Sequence, residues 1–179
     1  MGERREIWTV GHSTLSAEAF GELLNNHDIK TLVDVRSFPG SRRYPQFNKE
    51  NLAEFLNSLS IEYVHAPLLG GRRRPNPESH NTALRNQSFR AYADYMESES
   101  FKKGIAELLD LSTKKRTAIM CAESLWWRCH RSLISDYLKS IDVEVHHIVN
   151  GKKSEEHSFT AAAHFVKDQL SYRGLLSDS

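Results

Sequence analysis

The alternation of two hydrophobic periods constrains this chain more than any other feature. Short runs of β-branched and apolar residues recur, and longer runs with apolar side chains at helical spacing lie between them. Ile7-Trp8-Thr9-Val10 opens the series and stops at Gly11; Phe20, Leu23 and Leu24 then mark a helix that Ser13 or Thr14 would cap. Thr31-Leu32-Val33-Asp34-Val35 is apolar enough for a strand buried on both faces. Asn48 would cap a helix carrying Leu52, Phe55, Leu56 and Leu59, and Ile61-Glu62-Tyr63-Val64-His65 reads as the third strand. From Leu69 to Asn86 the period vanishes in a stretch rich in Gly, Arg, Pro and Asn. A loop that long inside a domain is usually functional or mobile. Helical spacing resumes at Phe89 and runs in two segments to near Leu111, and Arg116–Cys121 is the fourth strand. Arg131 to Lys139 is a helix with Leu133, Ile134, Tyr137 and Leu138 on one face, and Val143–Ile148 is the fifth strand. A last helix is predicted over about Ser158 to Leu170, with a frayed tail from 171 to 179.

Strands alternating with helices require crossover connections. The predicted fold is therefore one Rossmann-like α/β domain over 1–179: three layers, with a mainly parallel sheet of about five strands and helices on both faces. The composition fits, with 39% hydrophobic and 26% charged residues in 179. A formal net charge of +1 excludes a carrier that binds nucleic acid by bulk charge, though not a local basic patch. No apolar run resembles a signal-peptide core or approaches the ~20 residues of a membrane span. Two cysteines, Cys121 and Cys129, cannot form a disulfide framework, so the reading is a cytoplasmic protein with no membrane partner.

In sheets of this kind ligands bind beyond the carboxyl ends of the strands. The residues just after each strand should therefore meet: His12 and Ser13, Arg36 and Ser37, His65, Cys121 and Glu123. The densest run is Cys121 to Ser132. It leads from a strand into a helix N-terminus, where free N–H groups and the helix dipole favour an anion. Arg131 would add a bidentate fork and Ser132 a hydroxyl. Cys121 lies where such a pocket would favour the thiolate, and His130 could serve as acid or base. The plainer reading is a packed strand end with Trp126 and Trp127 plugging the sheet edge. A metal reading would use Cys121, Glu123, Cys129 and His130 with His12 or His65. It lacks a Cys-x-x-Cys pair, and the adjacent Cys129 and His130 would rarely face one ion, so neither metal nor cofactor is expected.

A second constellation runs from Asp34 to Asn48. Asp34 is a carboxylate in a buried strand and needs a partner, Arg36 or Arg131. Arg42, Arg43, Tyr44, Phe47 and Asn48 combine cations, flat rings and an amide, a mixture suited to phosphate contact and base stacking. A solvated turn with its rings folded under is the alternative. A third feature, Gly70-Gly71-Arg72-Arg73-Arg74, places three arginines beside flexible glycines after the third strand.

The ordered motifs Thr9-Val10-Gly11-His12-Ser13, Val33-Asp34-Val35-Arg36-Ser37, Pro45-Gln46-Phe47-Asn48, Leu69-Gly70-Gly71, Tyr92-Ala93-Asp94-Tyr95-Met96, Met120-Cys121-Ala122-Glu123 and Trp127-Arg128-Cys129-His130-Arg131-Ser132 resemble the bacterial and archaeal domain-of-unknown-function family 488. The resemblance runs from about Ile7 to His147. Trp126 departs from it, standing where members commonly carry proline, which implies a differently shaped loop. Some members are labelled DNA-repair proteins, which implies a nucleic-acid partner. A looser similarity is to rhodanese- and phosphatase-like domains, but Cys121 lies too far from Arg131-Ser132 for their short anion loop and Cys129 too close.

The leading expectation is an enzyme that acts on a phosphate-bearing ligand, DNA, RNA or a nucleotide, at the carboxyl edge of the sheet. Arg36, Arg42, Arg43, Arg72, Arg128 and Arg131 would hold phosphate, with Ser13, Ser37 and Asn48 as neutral contacts. Tyr44, Phe47, Trp126 and Trp127 would stack on a base. His12, Glu123 and His130 would move protons, and Cys121 would be the nucleophile of any covalent step. The alternatives are a non-catalytic nucleic-acid-binding module and a rhodanese- or phosphatase-like thiol enzyme using Cys121.

Overall fold

The computed structural model describes residues 4–174. The strands are β1 (Glu6–Gly11), β2 (Thr31–Asp34), β3 (Glu62–His65), β4 (Thr117–Cys121), β5 (Glu144–Ile148) and β6 (Ser154–Glu156), in the order β3-β2-β4-β1-β5-β6. The first five pair in parallel and β6 joins β5 antiparallel, so the expected sheet gains a sixth, edge strand. Every residue of β2 and β4 is buried, including Asp34, as expected of central parallel strands covered on both faces.

The helices are α1 (Ala17–Asn26), α2 (Lys49–Ser58), α3 (Gln87–Met96), α4 (Glu99–Lys114) and α5 (Arg131–Ser140). They divide between the faces. Phe20 and Leu24 of α1 and Leu52 and Leu56 of α2 bury against Trp8, Val10, Leu32 and Met120. Tyr92, Phe101, Ile105, Leu133 and Leu138 of α3–α5 bury against Ile7, Val33, Ile119 and Val145, the alternate positions of the same strands. This is a three-layer Rossmann-like fold. β1 and β4 are neighbours, yet β1 leads through α1 on one face to β2, while β4 leads through α5 on the other face to β5. The crevice between their carboxyl ends is a topological switch point, where open α/β sheets bind their ligands.

Several local expectations need correction. Ser16, not Ser13 or Thr14, caps α1, with Oγ accepting from Ala19 N at 3.0 Å. Asn48 precedes α2 but its Oδ1 accepts from Ser41 N instead of the helix. The helix predicted at 158–170 is a hairpin of β7 (His164–Val166) and β8 (Gln169–Ser171). Its two turn residues, Lys167 and Asp168, have φ of 50° and 63°, the left-handed pair that matches strand twist in a tight hairpin. The predicted tail from 171 meets Ser171 in β8 and a buried Tyr172 whose hydroxyl donates to Asp136 Oδ2 at 2.7 Å. Positions 175–179 of that tail lie outside the described residues.

Candidate functional site

The loops that leave β1 and β4 stay paired past the ends of their strands: His12 N donates to Cys121 O and Ser13 N to Ala122 O, both at 3.0 Å. Val35 N donates to Met120 O at 3.0 Å, so the segment after β2 is tied in as well. Gly11 makes this approach possible, since a Cβ there would lie 1.9 Å from Glu123 O. Across the opening, Gly71 packs so closely on His130 that its Cβ would stand 2.6 Å from Nδ1.

The result is a cleft of about 890 Å³ at the switch point. Its lining brings together His12, Ser13, Arg36, Ser37, Tyr44, Arg72, Cys121, Glu123 and His130 from the predicted set. It adds Phe38, Arg73 and Cys129, to which sequence reasoning gave no place among the catalytic or phosphate-binding residues.

Asp34, fully buried, takes Arg36 as its partner rather than Arg131. Arg36 Nε donates to Oδ1 at 2.9 Å and Nη2 to Oδ2 at 2.7 Å, and Tyr63 Oη donates to Oδ2 at 2.5 Å. Burial and the adjoining carboxylate hold the Tyr63 phenol far above its ordinary range. Nη2 of Arg36 also donates to Phe47 O, which leaves Nη1 beside His12 Nε2 at 3.4 Å. His12 Nδ1 donates to Ser13 O at 2.9 Å, and its ring stacks on Phe47 with centroids 4.1 Å apart. Burial lowers its pKa, with the Arg36 charge adding to the effect, so His12 is neutral, its Nδ1 carrying the proton and its Nε2 accepting from Arg36 Nη1.

His130 lines the same cleft but acts as a strut. Its Nε2 donates to Val35 O at 2.9 Å, and burial pulls its pKa down to about 4. Glu123 Oε1 accepts from Leu125 N at 3.1 Å, which fixes the carboxylate at the cleft wall.

The helix N-terminus expected to receive a ligand anion is already occupied by the protein's own sulfur. Cys129 Sγ lies 3.4 Å from Arg131 N and 3.3 Å from Arg131 Nε. Arg131 is 1% exposed. Its Nη2 donates to Glu123 O and Ser124 O, and its Nη1 to Thr9 Oγ1, so no face of the guanidinium is left for phosphate. Ser132 is buried too, with Oγ donating to Cys129 O. Cys121 Sγ is 3.2 Å from Cys129 Sγ. The hydrogen bond from Cys121 and the Arg131 contacts bring the Cys129 thiol down to about 6, while burial pushes the Cys121 thiol well up. With Arg131 N and Nε both facing its sulfur, Cys129 is the better placed of the two to carry the thiolate, rather than the Cys121 chosen from sequence.

Behind Arg131 runs a buried chain. Thr9 Oγ1 donates to His147 Nδ1 (2.6 Å), His147 Nε2 to His157 Nδ1 (2.8 Å), and His157 Nε2 to Asp136 Oδ1 (2.8 Å). Together with Arg131 Nη1 donating to Thr9, every bond points the same way, from a buried cation to a buried carboxylate.

Other predicted residues face elsewhere. Trp126 stacks on His147 with centroids 4.2 Å apart and donates from Nε1 to Glu155 Oε1, so one face of its ring is covered and the ring lies outside the cleft lining. Phe47 is fully buried. Trp127 and Arg128 are exposed, but outside the cleft lining. Arg42 and Arg43 are exposed on the turn before α2, also outside it, with Arg43 over the Tyr44 ring. Among the described residues no three His, Cys, Asp or Glu side chains are grouped to hold a metal ion, and no helix is long and apolar enough to cross a membrane.

No curated protein and no solved structure matches this chain. A family model does, over residues 16–138, a span that holds Arg36, the arginine loop and both cysteines and begins just after His12. The chain belongs to the family described as domain of unknown function DUF488.

Proposed function

We propose that the cleft binds a phosphate-bearing ligand, a nucleotide or a nucleotide unit of DNA or RNA, and carries out proton-transfer chemistry on it in the cytoplasm. The observation that carries this reading is the pairing of a flat ring with cations at one opening. Phe38 is 71% exposed, an unusual state for a large apolar ring, and Arg72 lies over it at 5.5 Å from the ring centroid. Arg72, Arg73 and Nη1 of Arg36 supply positive charge to the cleft from two separate loops, and Ser13 and Ser37 line it as well. In this reading Phe38 and Tyr44 stack on the base, Arg72 and Arg36 hold phosphate, and neutral His12 accepts a proton through Nε2 once Arg36 Nη1 leaves that nitrogen for the phosphate. Glu123 is the second proton acceptor. The DNA-repair label of some family members supports nucleic acid as the larger ligand.

The test is fluorescence anisotropy with labelled single-stranded DNA and RNA over a salt series, with nucleoside monophosphates and inorganic phosphate as competitors. The expected result is saturable binding that weakens steeply with salt. Arg72→Ala should reduce the salt slope by about one. Phe38→Ala should cost about 1–3 kcal/mol against nucleotides and leave inorganic phosphate unchanged. His12→Gln should keep binding and abolish any conversion of bound oligonucleotide seen by mass spectrometry. Conversion that survives His12→Gln would remove that residue's role, and a chain that binds without converting would be a binding module. Absence of saturable binding to every phosphate compound would refute the proposal.

A further inference from the structure

Cys121 and Cys129 stand apart from phosphate binding, because both cysteines and Arg131 are committed to one another at the floor of the cleft. We propose that they form a redox-active dithiol, in which Cys129 is oxidised by a hydroperoxide and Cys121 resolves it to an intramolecular disulfide. The geometry supports each part. The sulfurs are 3.2 Å apart and both residues line the cleft, so a small oxidant has a path to them. A disulfide needs the sulfurs at about 2.05 Å, a closure of about 1.2 Å that side-chain rotation across the loop 122–128 can supply. The backbone N–H and Nε of Arg131 both point at the Cys129 sulfur, the arrangement that stabilises a thiolate.

The chemistry balances with the peroxide as oxidant. The Cys129 thiolate attacks one peroxide oxygen and the O–O bond breaks. Sulfur becomes a sulfenic acid, and the departing hydroxide or alkoxide takes a proton from solvent. The Cys121 sulfur then attacks the sulfenic sulfur, the S–O bond breaks, and the hydroxide leaves with the Cys121 proton as water. Two thiols lose two electrons, and the peroxide is reduced to water and an alcohol or a second water.

Oxidation removes the anion facing Arg131, which would be costly for a lone buried cation. The chain through Thr9, His147 and His157 supplies a second counter-charge at Asp136, so the guanidinium keeps a partner in both redox states.

The experiment treats the full-length reduced protein with hydrogen peroxide and follows intact mass and peptide mapping. The expected product is a disulfide linking Cys121 to Cys129 within one chain, reversed by dithiothreitol. Cys121→Ser should stop at a sulfenic acid on Cys129 that dimedone traps, and Cys129→Ser should slow peroxide consumption at least about tenfold. The wild-type measurement does not depend on either variant folding. Thiols that stay reduced in the native protein while the urea-unfolded chain oxidises would overturn the proposal. So would oxidation of Cys129→Ser at the wild-type rate, or a disulfide formed only between chains. None of these readouts depends on whether the cleft binds phosphate.

Discussion

Lowering the pH from 7 to 5 should destabilise this protein more than its net charge of +1 implies, because the fold buries uncharged histidines. An unfolded histidine titrates near 6.5, whereas burial brings His130 to about 4 and His147 to about 2, the latter helped by the neighbouring His157 and Arg131. The sign follows from linkage. Below pH 6.5 the unfolded chain takes up protons that the folded chain refuses, so stability is complete above that value and falls as the pH drops toward the folded pKa values. Between pH 7 and 5 each of the two residues loses about 2 kcal/mol, from 1.36 kcal/mol per pH unit. The pair amounts to about 4 kcal/mol, a large share of the 5–15 kcal/mol typical of a domain. His12, also held below its ordinary value by burial, acts in the same direction. Urea titrations at pH 7, 6 and 5, read by tryptophan fluorescence, should show the midpoint falling by about 2 M in total for a slope near 2 kcal/mol/M. His147→Gln should halve the loss due to this pair. A midpoint that stays level from pH 7 to 5, or histidine NMR signals of the folded protein that titrate near 6.5 for both residues, would refute the reasoning.

Asp136 accepts from His157, Thr160 and Tyr172 in a fully buried position, so Asp136→Asn should cost about 3–5 kcal/mol in chemical denaturation. A loss under 1 kcal/mol would mean that the chain from Arg131 carries no electrostatic load. In the β7–β8 hairpin, Lys167→Asn with Asp168→Gly should raise stability by about 0.4–1 kcal/mol, since both turn positions have positive φ, which Lys disfavours and which Asp tolerates less well than Gly. A thermal midpoint that falls would place the turn in another conformation.

The layers of this fold were legible because strand and helix periods differ and the parallel strands are apolar on both faces. Thr31–Asp34 and Thr117–Cys121 announce themselves in that way. The meeting of His12, Arg36 and Cys121 follows from strand ends alone. The hairpin near the end was not legible: Ala161-Ala162-Ala163 between Phe159 and Phe165 imitates a helical face, and Lys167-Asp168 lacks the glycine that signals a tight turn. Arg131 looked like a ligand contact because nothing local reveals that its partners include Thr9, far away in the chain. Trp126 was misread for the same reason, since its stacking partner His147 lies on another strand. Phe38 had a visible signal, a large ring between Ser37 and Pro39 just past a strand end, but only coordinates reveal that it remains uncovered. Cys129 carried its chemistry in its position before a helix, yet its nearness to Arg131-Ser132 made it look too short for an anion loop.

The backbone pairing that continues beyond β1, β2 and β4 has a mechanical consequence. The base of the cavity is an extension of the sheet and shares its stiffness, so it cannot yield to an incoming guest. The opposite side, 70–74, hangs from side-chain contacts, with Arg72 N on Ser37 Oγ and Arg73 reaching back to Gly70 O and Pro67 O. Under the proposed function, adjustment to a ligand's girth therefore falls to the arginine side, while the distances among histidine, guanidinium and sulfur on the other side are set by the sheet.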